Sequence, residues 1–153
     1  MTPEQHQEAL NLCEKLAVQF EGMRLKPYLC PAGVATIGLG STDYEDGRKV
    51  KLSDDAITEA RAFELYRRKV EGFMVVVLHD CPKIDSVGLL AACTDLAYNI
   101  GSNAFGGSTL RKVINDGGDR DAIAAQFRRW SRGGGKELPG LVKRREAEIA
   151  LIC

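Results

Sequence analysis

The chain predicts an α+β fold, mostly helical, in which a small antiparallel β lobe is joined by a long helix to a helical lobe. Two observations carry that expectation. Apolar residues recur three to four positions apart before residue 22 and through most of the chain after residue 53. Between 25 and 52 that period vanishes, and short β-leaning pieces are punctuated by glycine and proline. At 153 residues, with 44% hydrophobic and 27% charged side chains, the composition suits one globular domain over 1–153 and excludes disorder and fibres. The β lobe is expected at about 22–52, and the helical lobe at about 70–153 together with the N-terminal helix.

The opening segment has the grammar of a helix start. Thr2 is placed as N-cap, Pro3 as the first helical residue and Gln5 to complete a capping box. Leu10, Cys13, Leu16, Ala17 and Phe20 share one face, and Gly22 is placed to end the helix. Glu21 then stands at the negative end of a helix dipole. Three β pieces are expected next, at 28–30, 34–39 and 49–52. Ser53, followed by Asp54 and Asp55, is read as the start of the long helix, whose apolar set is Ile57, Ala60, Phe63, Tyr66, Val70, Phe73 and Val77. Asp85 is read as the cap of a central helix, largely apolar over 87–98 and ending near Gly101. Three shorter helices are expected at 108–115, 121–131 and 140–152, separated by Gly117-Gly118 and by the glycines at 133–135.

Formal net charge is zero but unevenly spread. Residues 1–60 carry six Lys/Arg against ten Asp/Glu, and residues 61–153 carry fifteen against eleven. The basic half could suit an anionic polymer through Arg128, Arg129, Arg132, Lys143, Arg144 and Arg145, but no recognition-helix or RNA-binding signature accompanies those charges, so no nucleic acid is expected as partner. Solvated helix faces account for such charges more simply; for Arg144 and Arg145 the alternative is electrostatic bracing of a cleft. Nothing resembles a membrane span, and Met1-Thr2-Pro3-Glu4 lacks the basic and apolar regions of a signal peptide. Cytoplasmic synthesis is expected. Cysteines at 13, 30, 81, 93 and 153 form no Cys-x-x-Cys pair, and the two histidines, His6 and His79, complete no zinc set, so neither metal nor cofactor is expected. Cys13, Cys81, Cys93 and Cys153 read as small buried apolar side chains. Oxidation of Cys30, or its pairing with another thiol such as Cys13, would instead make a redox latch.

The stretch 21–40 carries the chemistry. Nine positions separate Glu21 from Cys30 and six more separate Cys30 from Thr36. A carboxyl at a helix end facing a thiol and a hydroxyl on a short hairpin can protonate a leaving group while positioning water. The flanking residues sharpen this. Glu21-Gly22-x-Arg24-Leu25-Lys26-x-Tyr28 followed by Thr36-Ile37-Gly38-x-Gly40 resembles the catalytic signature of phage-type lysozymes, the endolysins of glycoside hydrolase family 24. Ala97-Tyr98-Asn99-x-Gly101, Phe105, Ser108-Thr109-Leu110, Trp130, the glycine run and Leu138-Pro139-Gly140-Leu141-Val142-x-Arg144-Arg145-x-x-Glu148 resemble that family's helical lobe, in the same order.

The resemblance implies a lysozyme-like fold and cleavage of the β-1,4 bond between N-acetylmuramic acid and N-acetylglucosamine in peptidoglycan. It implies Glu21 as general acid, Cys30 as base or nucleophile and Thr36 as the residue that positions water. The family's middle position is Asp or Cys, and here it is Cys. An ordinary thiol is only a few per cent ionised at neutral pH, so Cys30 needs its thiolate stabilised. Thr36, Arg24 and Lys26 are the candidates for that. A separation of roughly 6.5–9.5 Å between acid and base leaves room for water and inverts the anomeric centre, the favoured expectation, whereas about 5 Å favours direct attack. Tyr98 and Asn99 fall where the family lines its cleft, and Ser41 and Thr42 follow Gly40 towards the same groove. Tyr28 and Trp130 read as packing residues. The implied partner is the peptidoglycan glycan strand, and the protein is expected as a monomer without stable membrane association. It would be made in the host cytoplasm and act on the wall, in the periplasm, after release. The competing expectation is a non-catalytic wall-binding module on the same fold.

Overall fold

The computed structural model describes residues 1–152. Helix α1 (Pro3–Phe20) starts as its sequence demands: Gln5 N donates to Thr2 Oγ1 at 3.1 Å and Thr2 N to Gln5 Oε1 at 2.8 Å, closing the capping box. It buries Ala9, Leu10, Cys13, Leu16 and Ala17 and stops at Glu21, whose N–H donates to Ala17 O at 2.8 Å before Gly22 turns the chain at φ +71°.

Strands β1 (Arg24–Leu29) and β2 (Ala35–Gly38) form an antiparallel hairpin pairing Arg24 with Gly38, Tyr28 with Thr36 and Leu29 with Ala35. Its turn is closed by Cys30 N donating to Val34 O at 3.0 Å and Gly33 N to Cys30 O at 2.8 Å. The third expected strand, 49–52, does not form; Lys49 makes only an isolated bridge to Asp43. Asp54 pulls that segment into a turn by accepting from Lys51 N at 3.0 Å and from Tyr44 Oη at 2.7 Å.

The same capture of Asp54 moves the start of the long helix. Helix α2 (Glu59–Asp80) begins six residues beyond Ser53, with Thr58 as N-cap accepting from Arg61 N at 3.1 Å. Ala60 is exposed, and the buried face is Ala62, Leu65, Tyr66, Val70, Met74 and Val77. The helix packs on β2 at one end and on the helical lobe at the other, as a connector must.

Helix α3 (Val87–Ile100) is capped by Ser86, not Asp85, through Leu89 N donating to Ser86 Oγ at 3.3 Å. Every residue of α3 from Leu89 to Ala97 is buried, Thr94 and Asp95 included, and the helix packs against both α1 and α2. Four short helices follow: α4 (Ser102–Gly106), α5 (Thr109–Asn115), α6 (Arg120–Arg128) and α7 (Pro139–Ile149). The five-residue α4 is too short to show a period, and the glycines at 133–135 do more than separate helices. Gly134 and Gly135, both at positive φ, turn a small hairpin between β3 (Arg132–Gly133) and β4 (Lys136–Glu137). A single large core runs through the helical lobe, and a much smaller one, Ile37, Tyr44, Val50 and Leu65, lies under the β lobe.

Candidate active site

Between the two lobes lies an open cleft of about 770 Å³, lined by Phe20, Glu21, Arg24, Tyr28, Cys30, Pro31, Ala32, Thr36, Gly40, Thr42, Lys69, Phe73, Tyr98 and Asn99. All six sequence-predicted site residues, Glu21, Cys30, Thr36, Tyr98, Asn99 and Thr42, therefore share one surface. Ser41 is not among the cleft-lining residues; it is buried, and its hydroxyl makes no hydrogen bond.

Glu21 owes its place to the end of α1 and to two close neighbours. Arg144 on α7 donates from Nη1 to Glu21 Oε1 at 2.7 Å. The second oxygen, Oε2, comes so close to Gly40 that a Cβ built there would stand 2.9 Å from it. Gly40 is also at φ +82°, so both its backbone and its missing side chain are needed for the carboxyl to stand there. The wall beside it is stiff. Tyr98 donates its hydroxyl to Leu39 O at 3.0 Å and meets Tyr66 and Phe73 edge-on at 5.3 and 5.5 Å.

Cys30 and Thr36 come from the hairpin. Hydrogen bonding from the Val34 backbone, chiefly, holds the Cys30 thiol below its ordinary pKa; partial burial opposes this, and the backbones of Ala32 and of Cys30 itself assist. The stabilisation thus originates in the turn, and not in Arg24 or Lys26 as the sequence suggested. Arg24 instead lies over the Tyr28 ring, 4.1 Å from its centroid, which makes Tyr28 part of the cleft wall. Thr36 is buried, and its Oγ1 donates to Val34 O at 2.9 Å. A hydroxyl has one proton, so with that proton committed the oxygen faces the cleft as an acceptor.

Of the two readings of Arg144 and Arg145, exposed helix charge fails for both, and bracing of the cleft fits Arg144. Arg144 and Arg145 are only 4% and 1% exposed. Arg144 grips Asp95 with two bonds, Nε to Oδ2 at 2.9 Å and Nη2 to Oδ1 at 3.0 Å. Arg145 grips Glu148 at 2.5 and 3.0 Å and donates to Trp130 O at 3.1 Å. Neither is available to a polyanion. Asp95 was missed altogether, although an aspartate inside an apolar helix is the signal to look for, since a buried charge requires a partner. Trp130 packs half-buried against the helical core, away from the cleft. Pairing of Cys30 with Cys13, Cys81 or Cys93 has no geometric basis. Cys13, Cys81 and Cys93 are free and fully buried, and Cys13 Sγ faces Ala91 O at 3.5 Å inside the core. Cys153 lies outside the described residues. Among the described residues no three His, Cys, Asp or Glu side chains gather as a metal set would, and no helix is long and apolar enough to cross a membrane.

The phage lysozyme family model matches residues 18–148, which contain every cleft residue named above. An endolysin of Acyrthosiphon pisum secondary endosymbiont phage 1 is 38% identical over 142 residues, covering 90% of this chain and 92% of that protein. Among solved structures, the endolysin from Escherichia coli O157:H7 phage FAHEc1 superposes with a TM-score of 0.81 at 28% identity, covering 94% of this chain and 89% of that one. A P22 lysozyme mutant superposes with a TM-score of 0.79 at 31% identity, over 93% of this chain and 94% of that one. With the match running from the last turn of α1 to the end of α7, the chain belongs to the phage lysozyme family.

Proposed function

We propose that this chain is an endolysin that hydrolyses the β-1,4 bond between N-acetylmuramic acid and N-acetylglucosamine, with Glu21 as general acid, Cys30 as base and Thr36 as the residue that positions the attacking water. One observation carries the reading: a carboxyl from the end of α1 and a thiol held below its usual pKa by a hairpin turn line the same open groove. A glycan strand laid along the groove places its glycosidic oxygen against Glu21. The Glu21 proton goes to that oxygen as the bond to the anomeric carbon breaks. Water on the far side of the sugar gives one hydrogen to the Cys30 thiolate and points the other at Thr36 Oγ1, whose own proton is held by Val34 O. Its lone pair then faces the anomeric carbon, and the centre inverts. Tyr98, Asn99 and Thr42 supply the walls on which the sugars rest. The enzyme works as a monomer on peptidoglycan and reaches it after release from the host cytoplasm.

Clearing of purified wall suspensions tests this. Glu21→Gln keeps the shape of the side chain and removes the transferable proton, so activity falls by about 10²–10⁴-fold, the usual worth of one acid–base group. Equal clearing by wild type and Glu21→Gln would return the protein to the reading of a wall-binding module.

A further inference from the structure

The mechanism uses Glu21 but leaves four buried ionisable groups unexplained: Asp95 on α3, and Arg144, Arg145 and Glu148 on α7. Burying such groups is costly unless each is paired, and replacing them with apolar residues of similar size is often neutral or stabilising. Their arrangement is directional. Asp95 spends both oxygens on one edge of the Arg144 guanidinium, at 2.9 and 3.0 Å. Because that group is planar and its fork rigid, two bonds on one edge fix the direction in which the remaining Nη1 points. Nη1 points at Glu21 Oε1, 2.7 Å away. Phe20 flanks the same guanidinium, its ring centroid 5.8 Å from Arg144 Cζ.

We infer that Asp95 is a positioning residue for the reaction: it aims Arg144, and Arg144 sets the Glu21 carboxyl where the leaving oxygen will stand. The inference rests on the proposed role of Glu21. Two carboxyls thus share one desolvated guanidinium, and the orientation each imposes on it is felt by the other. Arg145 and Glu148 form the backing layer. Burial and the neighbouring Asp95 carboxylate push Glu148 well above the usual carboxylate range, while burial of Asp95 is more than offset by its contacts with Glu148 and Arg144, leaving it ionised.

The test is a comparison of Asp95→Asn, Glu21→Gln and wild type on a soluble peptidoglycan glycan fragment, with near-UV circular dichroism as the check on folding. Asp95→Asn keeps the size of the side chain and none of its charge. Its kcat should fall by about 10²-fold, the cost of misplacing a reacting group by an ångström, while KM stays within about twofold because Asp95 touches no sugar. A merely structural role would lower the active fraction and leave the kcat of the folded protein unchanged. Should Asp95→Asn not fold, Arg144→Ala decides. That variant opens a guanidinium-sized hole beside the pocket formed by Phe20, Leu138, Gly140 and Leu141. Millimolar guanidinium should restore kcat, and urea, its neutral analogue in shape, should not. Wild-type kcat in folded Asp95→Asn, or equal effects of guanidinium and urea, overturns the inference. If Glu21→Gln itself retains wild-type kcat, it is the role of Glu21 that fails, so the two failures are distinguishable.

Discussion

At the scale of single residues, the site depends on what is missing from Gly40 as much as on what Glu21 carries. A methyl group there would press on Glu21 Oε2 at 2.9 Å and sit at φ +82°, where side chains are strained. Gly40→Ala should therefore cost about 1 kcal/mol of stability and a disproportionate loss of wall clearing, measured by thermal melting and turbidity on one preparation. Cys30 predicts a pH signature. In the proposed mechanism the thiolate is the working form, so the rate should fall as pH drops through the Cys30 pKa, which the turn holds below the ordinary thiol value. Cys30→Asp should keep activity and move that falling limb down towards about 4, where aspartate titrates, whereas Cys30→Ala should lose activity at every pH. A limb left in place by Cys30→Asp would assign the base elsewhere. Thiol-directed reagents should reach Cys30 well before Cys13, Cys81 or Cys93, because those three are buried and burial raises their pKa values, that of Cys81 to about 11. The carboxyl, thiol and hydroxyl were legible in the sequence because they crowd into sixteen positions around a recognisable hairpin. Asp95 was not, since its partner Arg144 lies 49 positions away and only packing of α7 against α3 brings them together.

At the scale of elements, sequence reading succeeded where one local signal dominated and failed where two competed. The start of α1 was plain because cap, proline and box partner agree. The start of α2 was displaced because Asp54 looks like a helix-opening residue but is taken up by Tyr44 and Lys51, leaving the cap to Thr58. Thr58→Ala should cost about 0.5–2 kcal/mol, seen as a lower Tm, while Ser53→Ala should change little. Helix α3 began one residue late for the same kind of reason, with Ser86 and not Asp85 reaching the free amide. A sharper test of packing sits two residues further on. A Cβ at Gly88 would stand 1.8 Å from Leu151 O, a backbone atom that cannot swing aside, so Gly88→Ala should force α3 from the C-terminal segment and cost several times what a cap does. Denaturant unfolding of the two variants side by side gives the comparison.

At the scale of the whole molecule, the cleft joins parts of unequal strength. Its helical side is backed by the large core around α3, whereas its hairpin side rests on the small cluster of Ile37, Tyr44, Val50 and Leu65, with Ala35 and Ile57 packed against it. Amide exchange should accordingly be faster in β1 and β2 than in the middle of α3, with a bound glycan slowing the hairpin most. The hairpin that carries Cys30 and Thr36 is thus the less supported wall of the cleft, whereas Glu21 is held by Arg144. The α+β plan was legible because hydrophobic period reports each element's class, but which lobe braces the acid emerges only from long-range packing. What unites these scales is one stereochemical claim: a proton comes from Glu21 on one side while water activated by Cys30 attacks from the other. The anomeric configuration of the first product, followed by NMR in the opening turnovers on a peptidoglycan glycan fragment, tests it most directly. The account predicts the α anomer, by inversion of the β linkage; the β anomer appearing first would contradict it.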